Sequence, residues 1–122
     1  MTESFLQAFA DAWNRHDIEA LMQFMTEEDC AFEASAGPEP CGTRYEGRQA
    51  VREAFSRVWH DYPDAQWLGA RHFIAGDRGV SEWTFVGTRA SDGVRVETDG
   101  CDHFTFRDGL IQLKNSWRKA RG

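Results

Sequence analysis

Residues 94–107 read VRVETDGCDHFTFR and alternate between two kinds of residue. Successive residues of a β-strand point to opposite faces of the sheet, so even and odd positions describe two surfaces. The even positions are mostly apolar or small, which predicts the buried face: Val94, Val96, Thr98, Gly100, Asp102, Phe104 and Phe106. The odd positions are mostly polar or charged, which predicts the exposed face: Arg95, Glu97, Asp99, Cys101, His103, Thr105 and Arg107.

Asp102 is the single charged residue on the predicted buried face. A buried carboxylate must be paired with other polar groups, or it must be neutralised by protonation. Buried acids of this kind cluster at functional sites. Asp102 is therefore the first candidate catalytic residue.

Three further stretches are rich in β-branched and aromatic residues, and we expect them to be strands: 65–75, 80–89 and 110–119. Short turn sequences connect the four strands: 76–79, 91–93 and 107–109. Because these connections are short, consecutive strands are expected to pair antiparallel.

The same alternation gives further candidates. In the strand 65–75, four residues are expected to share one face on which His72 is the only polar group: Leu68, Ala70, His72 and Ile74. In the last strand, the apolar face is expected to contain Ile111, Leu113, Asn115 and Trp117, with Asn115 as its polar member. Trp83 and Phe85 share a face that could line a pocket.

The first half of the chain predicts helices. Phe5, Leu6, Phe9 and Trp13 recur at helical spacing, and Asp17 is a candidate N-cap for a second short helix. A short strand over residues 30–35 and a Gly-Pro-rich loop over 34–43 follow. Gly47 opens a third helix that ends at Tyr62-Pro63. Three helices before a meandering sheet predict an α+β fold.

Composition limits the classes of function. The 122 residues allow one domain, residues 1–122, and 13% of them are aromatic, which suggests a bulky apolar interior or a cavity lined by rings. The net charge of −6 disfavours nucleic-acid binding, and no apolar run is long enough to cross a membrane. Three dispersed cysteines favour a reducing cytoplasm. Because metal-ligand spacings and nucleotide-binding glycine motifs are absent, we expect no metal and no cofactor.

Several segments together resemble a known family. They are DIEA at 17–20, TEEDCAFEASAGPEP at 26–40, YEGR at 45–48, GCDHFTFRDGLI at 100–111 and NSWRK at 115–119. With the order of elements, they resemble the NTF2-like superfamily, in its SnoaL-like and ketosteroid-isomerase-like branch. The resemblance implies a cystatin-like cone, in which three helices pack on a strongly curved, mostly antiparallel sheet around an apolar cavity. It also implies a homodimer, with the odd-numbered face of the sheet as the partner surface.

The resemblance assigns roles to particular residues. Ketosteroid isomerase moves a proton with one carboxylate, while a tyrosine and a protonated aspartic acid hydrogen-bond the enolate. Asp102 matches that aspartic acid, and Phe9 takes the tyrosine position, where a phenyl ring cannot donate a hydrogen bond. The base position falls on Glu33 or on Ala34. Polyketide cyclases of the SnoaL type instead suggest Asp102 assisted by His72.

The candidate catalytic residues are therefore Asp102, His72 and Glu33. Candidate substrate-binding residues are Phe9, Trp13, Trp83, Phe85, Phe104, Asn115 and Trp117, the last matching a cavity tryptophan of the family. We expect cofactor-free acid/base chemistry, an isomerisation or a cyclisation, on a small apolar carbonyl compound. A binding protein for a small hydrophobic molecule and a dimeric protein-interaction module are the alternatives.

Overall fold

The computed structural model describes residues 1–121. Its helices are α1 (Glu3–Asn14), α2 (Ile18–Gln23) and α3 (Arg48–Asp61). Its strands are β1 (Ala31–Glu33), β2 (Arg44–Glu46), β3 (Gln66–Ala75), β4 (Arg78–Thr88), β5 (Arg95–Arg107) and β6 (Leu110–Arg118). The predicted N-cap of α2 is confirmed, because the Asp17 carboxylate accepts a hydrogen bond from the Ala20 amide at 3.1 Å.

The strands form one curved, open sheet in the order β2-β1-β6-β5-β4-β3. Only β1 and β6 run parallel, and every other neighbouring pair is antiparallel. The predicted α+β, cystatin-like architecture is confirmed. Strand β2 was not predicted, since its three residues directly precede α3 and show no alternation of their own.

The last strand contains a β-bulge that changes which residues point inward. Thr105 pairs with Leu113 and Phe106 pairs with Ile111, so Gln112 is an extra residue on β6. Beyond the bulge, the inward positions are those in register with Phe104 and Asp102, namely Lys114 and Ser116. The predicted apolar face of this strand is therefore wrong after Ile111: Leu113, Asn115 and Trp117 point outward.

A second bulge interrupts β3. Leu68 pairs with Thr84 and Arg71 with Glu82, so two residues, Gly69 and Ala70, lie opposite one residue of β4. Gly69 has a φ of +64°, a conformation that glycine adopts without a steric cost. Because of this bulge Leu68 points outward, at 49% exposure, whereas His72 points inward. The prediction that both share one face is wrong.

The helices cover the inner face of the sheet. The core between the layers is dominated by aromatic and large aliphatic side chains, and its fully buried members include Leu6, Leu21, Phe55, Phe85 and Ile111. Burial of side chains of this size contributes roughly 2 kcal/mol each. Within the described residues, no helix is both long and apolar enough to cross a membrane.

Candidate active site

Asp102 lies on the inner face of β5 and is buried, as its strand pattern predicts. Trp83 donates an indole N–H to Oδ2 at 3.1 Å, and Ser116 donates its hydroxyl to Oδ1 at 2.6 Å. The ammonium of Lys114 lies 3.2 Å from Oδ1. The indole N–H can only donate, so Oδ2 acts as an acceptor toward Trp83. Both oxygens of Asp102 contact protein groups, so neither is directed at a ligand as the resemblance to ketosteroid isomerase implied.

Lys114 is the residue that sequence reasoning missed. Its side chain and that of Asp102 are each 8% exposed, and its Nζ also donates to Ser116 Oγ at 2.8 Å. Nζ lies 4.9 Å from the ring centre of Trp13 and 4.7 Å from that of Phe32. Burial lowers the pKa of Lys114, the carboxylate of Asp102 opposes this effect, and the guanidinium of Arg118 adds to it.

The position of Lys114 depends on the bulge at Gln112. A strict two-residue alternation places Lys114, Ser116 and Arg118 on the polar, outward face of the last strand. One extra residue turns all three inward. The only sign of these inward residues in the sequence is a set of polar residues at alternate positions of the last strand. Such a set looks the same as one that faces solvent.

A cavity of about 180 Å³ lies between α3, the β1–β2 hairpin and the inner face of the sheet. Lys114, Trp13 and Trp83 line its inner part, which we call the floor. Exposed Arg57 and Asp61 of α3 line its outer part, the mouth. A void of only about 20 Å³ separates Asp102 from Phe9 and Phe104. Asp102 therefore reaches the larger cavity through Lys114 and Ser116.

The predicted aromatic residues other than Trp117 face inward. Trp13 and Trp83 line the cavity, while Phe9 and Phe104 pack edge to face 5.9 Å apart beside Asp102. Phe85 is fully buried beneath the guanidinium of Arg118. The indole N–H of Trp13 is buried and has no acceptor within residues 1–121. An unpaired buried donor costs roughly 1–3 kcal/mol of stability.

His72 faces inward, but it lies on β3, and β4 separates it from Asp102 on β5. Its Nδ1 lies 2.7 Å from the Ser81 hydroxyl, and its Nε2 lies 2.8 Å from Gln7 Oε1. An amide oxygen can only accept, so Nε2 carries the proton and Ser81 donates to Nδ1. Burial lowers the pKa of His72, against the opposing charges of Glu3 and Asp11. This arrangement holds a neutral histidine against α1.

Glu33, Asn115 and Trp117 lie on the outer face of the sheet. Glu33 pairs in register with Asn115, and its carboxylate accepts from Arg44 at 2.7 Å. Trp117 is 52% exposed and packs against His103, so it does not match a cavity tryptophan. Ala34, the other possibility for the base position, lines the cavity.

Gly100 explains how Trp83 reaches Asp102. A Cβ atom at this position would come within 2.6 Å of the Trp83 ring and 2.3 Å of the Trp117 carbonyl oxygen. The indole therefore occupies the space above a residue without a side chain. This close approach sets the direction of the Trp83 N–H toward Asp102.

The SnoaL-like domain matches residues 6–113. The chain belongs to this family. No curated protein matches the sequence. The family match ends one residue before Lys114, so the inward basic residues of β6 lie beyond the part of this SnoaL-like chain that the family describes.

Solved structures with the same fold cover almost the whole SnoaL-like chain. A protein from Xanthomonas campestris described as a "putative polyketide cyclase" is 25% identical, with a TM-score of 0.83, covering 95% of this chain and 88% of that one. An "ntf2-like protein of unknown function" from Mesorhizobium loti is 28% identical, with a TM-score of 0.76 and coverages of 96% and 89%.

A third structure shares the fold at lower identity. It is a hypothetical protein with a ketosteroid isomerase-like fold from Catenulispora acidiphila, in complex with trimethylamine. It is 17% identical, with a TM-score of 0.81, and the match covers 96% of this chain and 86% of that one. The NTF2-like, SnoaL-like assignment made from the sequence is confirmed.

Proposed function

We propose that this protein catalyses proton transfer next to the carbonyl of a small planar compound, with Lys114 as the general base. One observation carries the proposal: Lys114 is a buried amine on the floor of an aromatic cavity, with a carboxylate 3.2 Å behind it. Isomerisation and cyclisation both begin with such a transfer, in agreement with the chemistry suggested by the family fold.

In the first step, the neutral amine of Lys114 takes a proton from the carbon next to the carbonyl. The electron pair of the broken C–H bond moves into an enolate, and Lys114 becomes an ammonium paired with Asp102. The N–H of Trp13 is the donor that we assign to the enolate oxygen, since it has no acceptor within residues 1–121. The ammonium then returns its proton to another carbon in an isomerisation. In a cyclisation, the enolate carbon attacks a second carbonyl of the same molecule, the π electrons of that carbonyl move to its oxygen, and the resulting alkoxide takes the proton from the ammonium.

Asp102 acts in this scheme as a positioning residue. Trp83 and Ser116 fix its two oxygens, and Asp102 and Ser116 together fix Nζ of Lys114. Because its carboxylate favours the ammonium, it limits how far burial lowers the pKa of Lys114. A base whose pKa lies closer to neutrality than that of free lysine is better suited to proton transfer.

The size of the cavity limits the substrate. An apolar cavity of about 150 Å³ accepts a benzene molecule. The cavity of about 180 Å³ therefore fits one ring with short substituents. Its walls include Trp13, Trp67, Trp83, Phe32 and Tyr45, which favour a flat molecule.

Deuterium exchange tests the proposed function. Small ring ketones such as 2-indanone are incubated with the protein in D2O, and loss of the α-proton signal is followed by NMR. We expect the protein to accelerate exchange above the buffer rate, with saturation in ketone. Buffer rates for every ketone of this size, under conditions in which the ketone binds, would overturn the proposal.

A binding protein without chemistry is the second candidate. It is favoured by Phe9, which places no hydroxyl where the resemblance expects one, and by the ion pair that restrains Lys114. The same experiment separates the two candidates, because a binding protein would quench tryptophan fluorescence on adding 2-indanone without accelerating exchange.

We also propose that the outer face of the sheet forms a homodimer interface. Three large hydrophobic side chains are exposed there at 49–55%: Leu68, Phe73 and Trp117. We expect the protein to sediment as a dimer, and Trp117→Glu to sediment as a monomer, because it places a charge in a desolvated patch. Val94→Ser, which removes an exposed hydrophobic side chain near the β4–β5 turn, is the control. A monomeric wild type would refute the interface.

A further inference from the structure

Arg118 is a half-buried cation that forms no ion pair within the described residues. It is the third inward residue of β6 after Lys114 and Ser116, and it lines the same cavity. Its guanidinium carbon lies 4.0 Å above the ring centre of Phe85. Its Nε is buried without a hydrogen-bond acceptor, and within residues 1–121 it pairs with no carboxylate.

An unpaired guanidinium in this position lowers the stability of the folded protein unless a ligand in the cavity pairs with it. Burial lowers the pKa of Arg118, but a guanidinium keeps its charge under all ordinary conditions. The carboxylate of Asp102 opposes this lowering from a distance, but its direct contacts are with Trp83, Ser116 and Lys114 and not with Arg118. A buried charge with unused donors is stabilised by an anion that enters the site.

The surface beside Arg118 is also positively charged. A groove of about 650 Å³ shares Arg118 with the cavity, and its lining contains four other basic residues and one acid: Arg89, Arg95, Lys119, Arg121 and Glu97. The whole chain carries a net charge of −6, so this groove is a local exception. A basic approach of this kind attracts anionic ligands and raises their local concentration.

We propose that Arg118 binds the carboxylate of a small planar organic acid, whose carbonyl group, on the assumption of the proposed function, reaches Lys114. The planar fork of arginine matches the two oxygens of a carboxylate. Aromatic walls and a volume of about 180 Å³ favour a single-ring acid over inorganic phosphate. Lys114 and Arg118 are four residues apart on one strand face, about 13 Å between Cα atoms. Both side chains line the same cavity, so one molecule bound there can contact both of them.

Paired ligands test the assignment. Benzoate and benzamide have the same shape and differ in charge, and their binding is followed by tryptophan fluorescence and by calorimetry. We expect wild type to prefer benzoate by about tenfold or more, the size of one charge-assisted contact. Inorganic phosphate should compete poorly. Equal binding of the two compounds, no binding of either, or effective competition by phosphate would each overturn the proposal.

Variants locate the site of binding. Arg118→Gln is expected to lose the preference for benzoate while still binding benzamide, and Arg118→Lys is expected to keep part of it. Lys119→Gln removes a neighbouring exposed charge and is the matched control. Retained benzamide binding reports that the cavity of each variant is folded. A preference that survives Arg118→Gln, or one that Lys119→Gln abolishes equally, would place the anion on the groove surface and overturn the assignment.

The two proposals fail in different ways. Wild-type protein that prefers benzoate but never accelerates deuterium exchange would refute the proton-transfer function and leave the anion site intact. Protein that accelerates exchange of neutral ketones without preferring benzoate would refute the anion site alone.

Discussion

Lys114→Met is expected to lower the rate of catalysed deuterium exchange by about 10²–10⁴-fold, the usual contribution of a positioned general base. Methionine fills a similar volume among the rings of Trp13 and Phe32, but it has no lone pair basic enough to take the proton. The measurement is the exchange rate at saturating 2-indanone. Near-UV circular dichroism, which reports the packing of the five tryptophans, checks that the variant is folded.

Lys119→Met is the matched control, since Lys119 directly follows β6 and is exposed. We expect it to leave the exchange rate unchanged. An unchanged rate in a folded Lys114→Met variant would remove Lys114 from the mechanism.

The pH dependence of exchange gives an independent readout. The base acts in its neutral form, so the wild-type rate should rise with pH and level off above the pKa of Lys114. Because burial lowers that pKa, the plateau should begin below the range of free lysine. Asp102 raises the pKa, so Asp102→Asn should move the plateau to lower pH. A plateau that does not move would show that Asp102 has no positioning role.

We expect the largest loss of stability when one partner of the Asp102–Lys114 ion pair is replaced and the other is kept. Asp102→Asn keeps one oxygen, which can accept from Trp83, but it loses the oxygen that accepts from Ser116 and leaves the ammonium of Lys114 buried without a counter-charge. Such a change costs about 3 kcal/mol of unfolding free energy. In the double variant Asp102→Asn with Lys114→Met both charges of the pair are gone and neither is left alone, so the loss should be smaller than the sum of the single losses. Urea unfolding of all four proteins measures this coupling.

Asp99→Asn is the control on the same strand. Its carboxylate is exposed on the outer face, where it accepts from Thr84, and we expect a loss of about 0.5 kcal/mol or less. Additive losses in the cycle would contradict a coupled pair.

The Asp102→Asn variant should also gain stability as the pH rises. The folded-state pKa of Lys114 is lowered, so between that value and the ordinary lysine range the unfolded chain binds a proton that the folded chain does not. Unfolding free energy rises with pH wherever the unfolded state binds more protons. A flat profile would mean that Lys114 keeps its proton in the folded variant.

Most of the fold could be predicted from local patterns. The alternation over 94–107 identified the buried face of β5, and Asp17 identified the start of α2. These features depend on a few neighbouring residues and on the geometry of one element. Strand β2 could not be predicted, because its pairing with β1 is a contact between segments separated by a loop.

The site could be predicted only in part. Strands β4 and β5 pair without a bulge, so every second residue points inward along their whole length. Simple alternation therefore predicted the inward orientation of Asp102, Trp83 and Phe104. Lys114, Ser116 and Arg118 follow a bulge, and no residue type at Gln112 announces it. The resemblance placed the base position on either Glu33 or Ala34, because the alignment is ambiguous by one residue. The ion pair of Glu33 with Arg44 could not be predicted either, since Arg44 lies on β2.

The bulge at Gln112 also has a consequence for how sites of this kind diversify. Deleting this one residue would remove the bulge and leave the rest of β6 in its present register, with Lys114 still pointing inward. The two sides of the strand exchange only when Gln112 is kept and pairs as an ordinary strand residue. Leu113, Asn115 and Trp117 would then line the interior, and the two cations would face water. The pairing of one residue can thus convert a charged interior into an apolar one without any change of sequence. Two relatives that look alike across this strand, one with the bulge and one without it, would present opposite chemistry to their ligands.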